Sequence, residues 1–167
     1  LCRLALIKLL PVPVLQRLMV ARVEPEQVAA ILFSSGSEGE PKGVQLTHKN
    51  LMANIKQVSD LLNTQDQDVM MGSLPLFHAF GLTVTTLMPM IEGIPLVSHP
   101  DPTDVGRISK AIARHGATMY CATSSLLRLM TRSNQSHPLM LKSLRLVVSG
   151  AERLAPNVRD GFHPNYG

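Results

Sequence analysis

Short apolar runs alternate along this chain with longer stretches whose apolar residues recur every three or four positions, and that alternation leaves few folds open. VAAILFS (28–34), DVMMGSL (68–74), IPLVS (94–98), ATMYCA (117–122) and LRLVVSG (144–150) have the length and composition of buried strands. Residues 47–62 place apolar side chains at 51, 52, 55, 58, 61 and 62, a helical spacing, with Thr47 set to cap the first turn. The pattern predicts a second helix over 77–93 that stops at Gly93, a third over 101–116 capped near Thr103, and a fourth over 124–133. Strands alternating with helices of this length mean βαβ units. The expected class is α/β, three-layer, with a mostly parallel sheet, helices on both faces and the strand at 28–33 internal. Residues 134–138 read as a loop and 99–104 as a turn into a helix. No repeat or low-complexity segment interrupts the pattern.

Composition sets the bounds. With 167 residues, 45% hydrophobic and 17% charged, the chain can bury a core and is not a disordered tail. A net charge of +4 suits an anionic small molecule or an acidic partner. Aromatics are only 4% and no basic run is interleaved with them, which argues against nucleic acid. Cys2 and Cys121 are the only cysteines, too few for a disulfide framework or a zinc site. Residues 1–24 are apolar, but Arg3, Lys8 and Arg17 punctuate them and Pro11 and Pro13 break them. They read as a linker or a short amphipathic helix ending at the prolines, with a membrane-surface anchor as the alternative, and neither as a span nor as a secretory signal. The chain is expected to be a soluble piece of a longer protein.

One stretch stands out chemically. FSSGSEGEPKGVQLTHKN (33–50) sets three serines, three glycines and Lys42 at the carboxyl end of a predicted strand, where open α/β sheets bind ligands. Glycines at 36, 39 and 43 let the backbone turn tightly, Ser34, Ser35 and Ser37 bring hydroxyl donors, and Lys42 brings a mobile cation. Many donors, little bulk and one positive charge suit a polyphosphate. The kinase-type loop GxxxxGK[ST] does not match, because Lys42 precedes Gly43 and Val44 follows.

SSGSEGEPKG (34–43) resembles the phosphate-loop signature of the adenylate-forming (AMP-binding) superfamily, with Glu38 where a hydroxyl is commoner. THKNLMANIKQ (47–57) resembles the helix after that loop, LPLFHAFGLT (74–83) a segment of the fatty-acyl branch, and VVSGAERL (147–154) the strand and turn that hold adenine. The glutamate variants resemble most the acyl-[acyl-carrier-protein] synthetase region of bifunctional 2-acylglycerophosphoethanolamine acyltransferases. The likeness runs from about residue 25 to the end, so residues 25–167 are expected to be a partial adenylating domain, truncated at its C-terminal side.

The resemblance implies both a chemistry and the residues that carry it. A carboxylate, here a fatty acid, attacks the α-phosphorus of ATP, and the thiol of acyl carrier protein (or of CoA) then takes the acyl group, serving lysophospholipid reacylation. By the same likeness Ser34, Ser35, Gly36, Ser37, Glu38, Gly39 and Lys42 form the phosphate site, with Lys42 acting on the reacting phosphates and Ser35 helping to place Mg2+. Gly150, Ala151 and Glu152 line the adenine pocket. His78, which alone would read as structural, becomes a gate or orienting donor near the substrate carboxylate rather than a general base. Phe80, Met88 and Met90 are candidates for an acyl channel, or core residues at helical spacing; Cys121 reads as packing. The expected location is the cytoplasmic face, with any membrane association left to other parts of the parent chain. Tyr166-Gly167 is not the family's Mg2+-binding Tyr-Gly-x-Thr-Glu, and the ribose-binding aspartate and catalytic lysine are not in this sequence. Two other readings stay open: a phosphate-binding module without adenylation, and a fold-only segment without ligand affinity.

Overall fold

The computed structural model describes residues 10–35 and 40–160, Ser35 by its backbone alone. Readings that fall on Cys2, Gly36, Ser37, Glu38, Gly39 and residues 161–167 lie outside those described. Four parallel strands make the sheet, in the order β4-β3-β5-β6: β3 (Met70–Gly72), β4 (Leu96–Ser98), β5 (Met119–Ala122) and β6 (Leu146–Ser149). Helix α2 (His48–Leu62) precedes β3. The helical run 79–92, here α3, joins β3 to β4; α4 (Val105–His115) joins β4 to β5; α5 (Ser124–Arg132) joins β5 to β6.

Alternation along each strand sorts side chains into two cores. Met70, Met119 and Cys121 point to one face, where Ile55 of α2 and Val84 and Met88 of α3 cover them. Met71, Tyr120 and Ala122 point to the other, under Val105, Ile108 and Ile112 of α4 and Leu127 and Met130 of α5. The three layers with helices on both faces are therefore present, as the run pattern predicts. Cys121 is packing: it is fully buried and its thiol is pushed up to about 12 by that burial.

The internal strand at 28–33 is not found. β1 (Val28–Ser35) pairs antiparallel with β2 (Pro41–Thr47) in a separate two-stranded sheet, with Ser34 opposite Lys42 and Phe33 opposite Gly43. Ile31 and Phe33 are exposed. A short apolar run does not reveal how many neighbours its backbone will find, and Val44 and Leu46, at alternate positions of what reads as loop, were the signal of its partner. One smaller difference has a local cause. Asp104, not Thr103, caps α4, because Asp101 already accepts from the Thr103 amide (2.8 Å) and hydroxyl (2.7 Å). At the N-terminal side, α1 (Val12–Met19) follows Pro11 and carries Pro13 in its first turn, where proline is tolerated. The reading of a helix that ends at these prolines falls on residues 1–9, outside those described.

Thr47 caps α2 as expected: its hydroxyl accepts from the Asn50 amide (3.2 Å) and the Asn50 side chain accepts from Thr47 N (3.1 Å). At the amino edge of the sheet the buried carboxylate of Asp68 accepts from Arg145 Nε (2.7 Å), Thr118 Oγ1 (2.6 Å) and the Gln65 amide (2.8 Å), tying the entries of β3, β5 and β6 together. The Arg145 guanidinium, with help from Thr118, holds the Asp68 carboxyl at about 2, below its usual 3.8. A depressed carboxyl stabilises the fold above its unfolded pKa, and that contribution is lost as pH falls from about 4 through about 2. Asp68→Asn should therefore cost about 2–4 kcal/mol at pH 7 and remove much of the acid sensitivity below pH 4, as read by urea unfolding at both pH values.

Candidate functional site

Connections leave β3 and β5 in opposite directions, β3 toward β4 and β5 toward β6, with α3 on one face and α5 on the other. A crevice opens beyond the carboxyl ends of two such strands, where sheets of this kind take ligands. Two of the sequence-derived segments meet there. Gly150 follows β6 directly, donates its amide to the Ala122 carbonyl (3.1 Å) and lies against the ring of Phe80. A Cβ at position 150 would come within 2.7 Å of that ring, so glycine is what lets α3 and the turn after β6 touch.

His78 stands at the start of α3 as its N-terminal boundary residue, exposed, with no capping bond from its side chain and its ring centroid 4.4 Å from that of Phe77. Among the described residues the imidazole has no hydrogen-bond partner, and its one aromatic neighbour is Phe77. The loop ahead of it is locked by Gly81, where any Cβ would overlap the carbonyl oxygen of Pro75. Of the other candidates on α3, Met88 is fully buried in the core and Met90 is 67% exposed, so only Phe80 reaches the turn after β6.

Ala151 takes a left-handed φ of 65°. Such a conformation costs a residue with a Cβ about 1 kcal/mol, so something nearby must hold it. Glu152 is bound to the first turn of α5: one carboxylate oxygen accepts from the Ser125 amide and the other from Ser125 Oγ (3.1 Å). The Ser125 amide, then the Ser125 and Thr123 hydroxyls and the charge of Arg128, draw the Glu152 carboxyl below its ordinary value.

The phosphate-loop residues form a second group. Ser34 and Lys42 face each other across the hairpin in register, both exposed, flanking the loop at 36–39. Among the described residues no carboxylate pairs with Lys42, and no hydrogen bond or ion pair joins this group to the crevice. A lysine and a serine on either side of residues 36–39, uncommitted among the described residues, fit a polyanion.

Three polar atoms that sequence reasoning did not single out also lie at the carboxyl edge. Among the described residues Ser73 Oγ, His99 Nε2 and Ser149 Oγ are buried without a hydrogen-bond partner, one at or just beyond the end of each of β3, β4 and β6, although His99 Nε2 lies 3.6 Å from an Asp104 carboxylate oxygen. Ser73 lies beside the Tyr120 hydroxyl, whose pKa is raised by burial and drawn partly back by that neighbour, without forming a bond of ordinary geometry. The signal was positional: each polar residue ends or follows an apolar run at the edge where ligands bind. Ser73 and His99 open into a cleft of about 450 Å³ that is otherwise mostly apolar, with Leu74, Leu76, Phe77 and Leu96 in its wall. His48, His115 and His137 behave as surface or capping groups; His137 Nδ1 accepts from the Leu139 amide (3.2 Å).

With this geometry in place, comparison with known proteins defines the class. The AMP-binding enzyme family matches residues 8–167, and the chain belongs to that family. It is 30% identical to 4-coumarate–CoA ligase 2 of Solanum tuberosum over 87% of this chain and 27% of that protein. It is also 30% identical to sulfoacetate–CoA ligase of Cupriavidus necator, over 86% of this chain and 28% of that protein. Among solved structures, ATP-bound MatB from Rhodopseudomonas palustris superposes with a TM-score of 0.76 at 25% identity, over 85% of this chain and 28% of that one. A fatty acyl-adenylate ligase from L. pneumophila, in complex with acyl adenylate and pyrophosphate, shares the fold with a TM-score of 0.77 at 23% identity, over 87% and 27% of the two chains. The chain therefore spans about a quarter of the length of these relatives, and the likeness established is to the family as a whole.

Gly81→Ala should displace the loop that carries His78, because backbone rather than a flexible side chain stands in the way. The expected cost is about 2–3 kcal/mol or more, seen as a lower denaturant midpoint, with altered near-ultraviolet signals from the Phe77–Phe80 segment.

Proposed function

We propose that this chain is the phosphate- and adenine-binding part of an ATP-dependent ligase that activates a carboxylic acid as its acyl-adenylate. The observation that carries the reading is the hairpin. Inside a chain of the AMP-binding enzyme family, it sets Ser34 and Lys42 in register on either side of a glycine- and serine-rich loop.

A carboxylate oxygen of the acid attacks the α-phosphorus of ATP, the bond to the bridging oxygen breaks, and pyrophosphate leaves. A thiol then attacks the acyl carbonyl, loses its proton, and AMP departs. Negative charge gathers on phosphoryl oxygens in the first step, so fixed amide and hydroxyl donors with one cation are the appropriate stabilisers. In this reading Ser34, Ser35, Gly36, Ser37, Glu38, Gly39 and Lys42 surround the β- and γ-phosphates, and Gly150, Ala151 and Glu152 border the adenine. His78 orients the acid's carboxylate. Mg2+ would neutralise phosphate charge, and a serine hydroxyl such as that of Ser35 suits so hard an ion.

A fatty acid is the acid we favour. The segment 74–91 holds no acidic residue that would receive the ammonium of an amino acid, and the walls of the neighbouring cleft are largely apolar. The acceptor is a phosphopantetheine thiol. Relatives named as CoA ligases support CoA, while the glutamate variants at Glu38 and Glu152 support acyl carrier protein and, through it, lysophospholipid reacylation at the cytoplasmic face of a membrane. Among the described residues, no helix is long and apolar enough to cross a membrane.

Pyrophosphate exchange by the full-length protein tests this, with acids from two to eighteen carbons, a set of amino acids and hydroxycinnamic acids, and CoA or acyl carrier protein as acceptor. Exchange should rise with chain length, by a factor set by about 0.8 kcal/mol per buried methylene, until the channel is full. A peak with an amino acid, or a profile flat with length, removes the fatty-acyl assignment; absence of exchange with every acid removes adenylation. In the same assay Lys42→Ala should lower exchange at sub-saturating ATP by about 10- to 100-fold. The unfolding temperature should stay nearly unchanged, because the exposed ammonium has no described partner in the fold.

A further inference from the structure

The turn after β6 is held more firmly than its exposure requires, and by groups that a nucleotide would not need to touch. Gly150 is fixed from below by the Ala122 carbonyl and from the side by Phe80. Two residues on, the Glu152 carboxylate is docked on the first turn of α5 through the amide and hydroxyl of Ser125. Three residues further, the Ala155 amide donates to Ser124 Oγ (3.2 Å), a second staple to the same helix end. Between these fixed points sits Ala151, in the left-handed region that alanine ordinarily avoids.

Thr123 Oγ1 already accepts from the Leu126 amide (3.3 Å), so α5 has its own cap before Glu152 arrives. The glutamate brings a second acceptor and a negative charge to the positive end of the helix, with Arg128 one turn along. Both of its oxygens are engaged with Ser125. That leaves the residue poorly placed to act as a ligand and well placed to act as a strut.

We propose that Glu152 is a positioning residue for the nucleotide. By tethering the chain to the N-terminal turn of α5, it holds Ala151 left-handed and so keeps the Gly150–Ala151 backbone in one conformation against Phe80. The inference rests on the nucleotide reading of this turn and assigns Glu152 an indirect part in it. A residue that contacts adenine and one that fixes the backbone both weaken ATP binding when removed, but they respond differently to a change at position 151. Glycine adopts a φ near +65° without the penalty a Cβ brings, so it should make good part of a lost tether and none of a lost ligand contact.

The experiment compares wild type, Glu152→Ala, Glu152→Gln and the double variant Glu152→Ala/Ala151→Gly of the full-length protein. It measures ATP affinity by calorimetry, separate KM values for ATP and acid, and amide hydrogen exchange over 148–155. Glu152→Ala should weaken ATP about tenfold, raise KM for ATP but not for the acid, and speed exchange at 150–155 with little change in unfolding temperature. Glu152→Gln, which keeps an oxygen for the Ser125 amide, should retain most of the affinity, and the double variant should recover at least threefold. If Glu152→Ala binds ATP as wild type does, or the double variant recovers nothing, the positioning role is overturned while the nucleotide reading stands. If wild type itself binds no ATP, the nucleotide reading fails and the positioning role with it.

Discussion

Burial of the central strand on both faces is the constraint on which the rest depends. All four residues of β5 are at most 1% exposed, and its neighbours β3 and β6 flank it on either side. A strand buried this way cannot satisfy its backbone with water, so it needs a hydrogen-bonded neighbour on each edge and an apolar helix over each face. Parallel neighbours then need crossovers, and the crossovers bring α3, α4 and α5 into place. At the amino edge, Asp68 and Arg145 fix how far the three strands slide along one another. At the carboxyl edge, the same stacking leaves a row of turns whose polar atoms have few partners within the fold.

That polarity between the two edges separates stability from chemistry. The amino edge is closed: its buried carboxylate has four protein hydrogen-bond donors from three residues, Gln65, Thr118 and Arg145. The carboxyl edge is open: among the described residues Ser73 Oγ, His99 Nε2 and Ser149 Oγ lack a hydrogen-bond partner, and the loop around His78 depends on the close approach of Gly81 to Pro75. Unsatisfied buried groups weaken a fold unless something binds them, so an edge rich in them is where a ligand would be expected. The hairpin with Ser34 and Lys42 is a distinct unit, joined to the start of α2 through Glu26 and Lys49 (2.8 Å) and the Thr47 cap.

Much of this was legible in the residues. Runs such as ATMYCA and the spacing in 47–62 gave element type and order because double-sided burial and a one-sided helix leave different periodicities. Gly93 and Gly116 ended helices with left-handed caps as glycines do. The partner of the strand at 28–35 was marked only by the alternation of Val44 and Leu46, since a run of Val, Ala, Ile and Leu reads alike in a hairpin and in a sheet centre. The chemistry of the Glu152 turn was hidden for a different reason. Its sequence match pointed to a nucleotide, whereas the carboxylate's partner at Ser125 is 27 residues away and becomes adjacent only once β5 and β6 pair. Ser73 and His99 gave no motif at all; only their place at strand ends marks them.

Helix α3 carries one further consequence. Its middle, Thr83–Leu87, is a π-helical turn in which the Met88 amide reaches back to the Thr83 carbonyl. Pro89 cannot donate to the Thr85 carbonyl, and the hydroxyls of Thr85 (2.9 Å) and Thr86 (3.0 Å) turn back to Gly81 instead. A π turn is the form a helix takes when it absorbs one surplus residue, and each residue is worth roughly 100° of rotation. Met88 is locked in the core, so the surplus is expressed ahead of it, in the direction that Phe80 and His78 face. Loss of that residue would turn the segment ahead of it by about 100°. Gly81 would move away from the Pro75 carbonyl and Phe80 away from Gly150, so the π turn is what lets both close contacts exist while Met88 stays in the core.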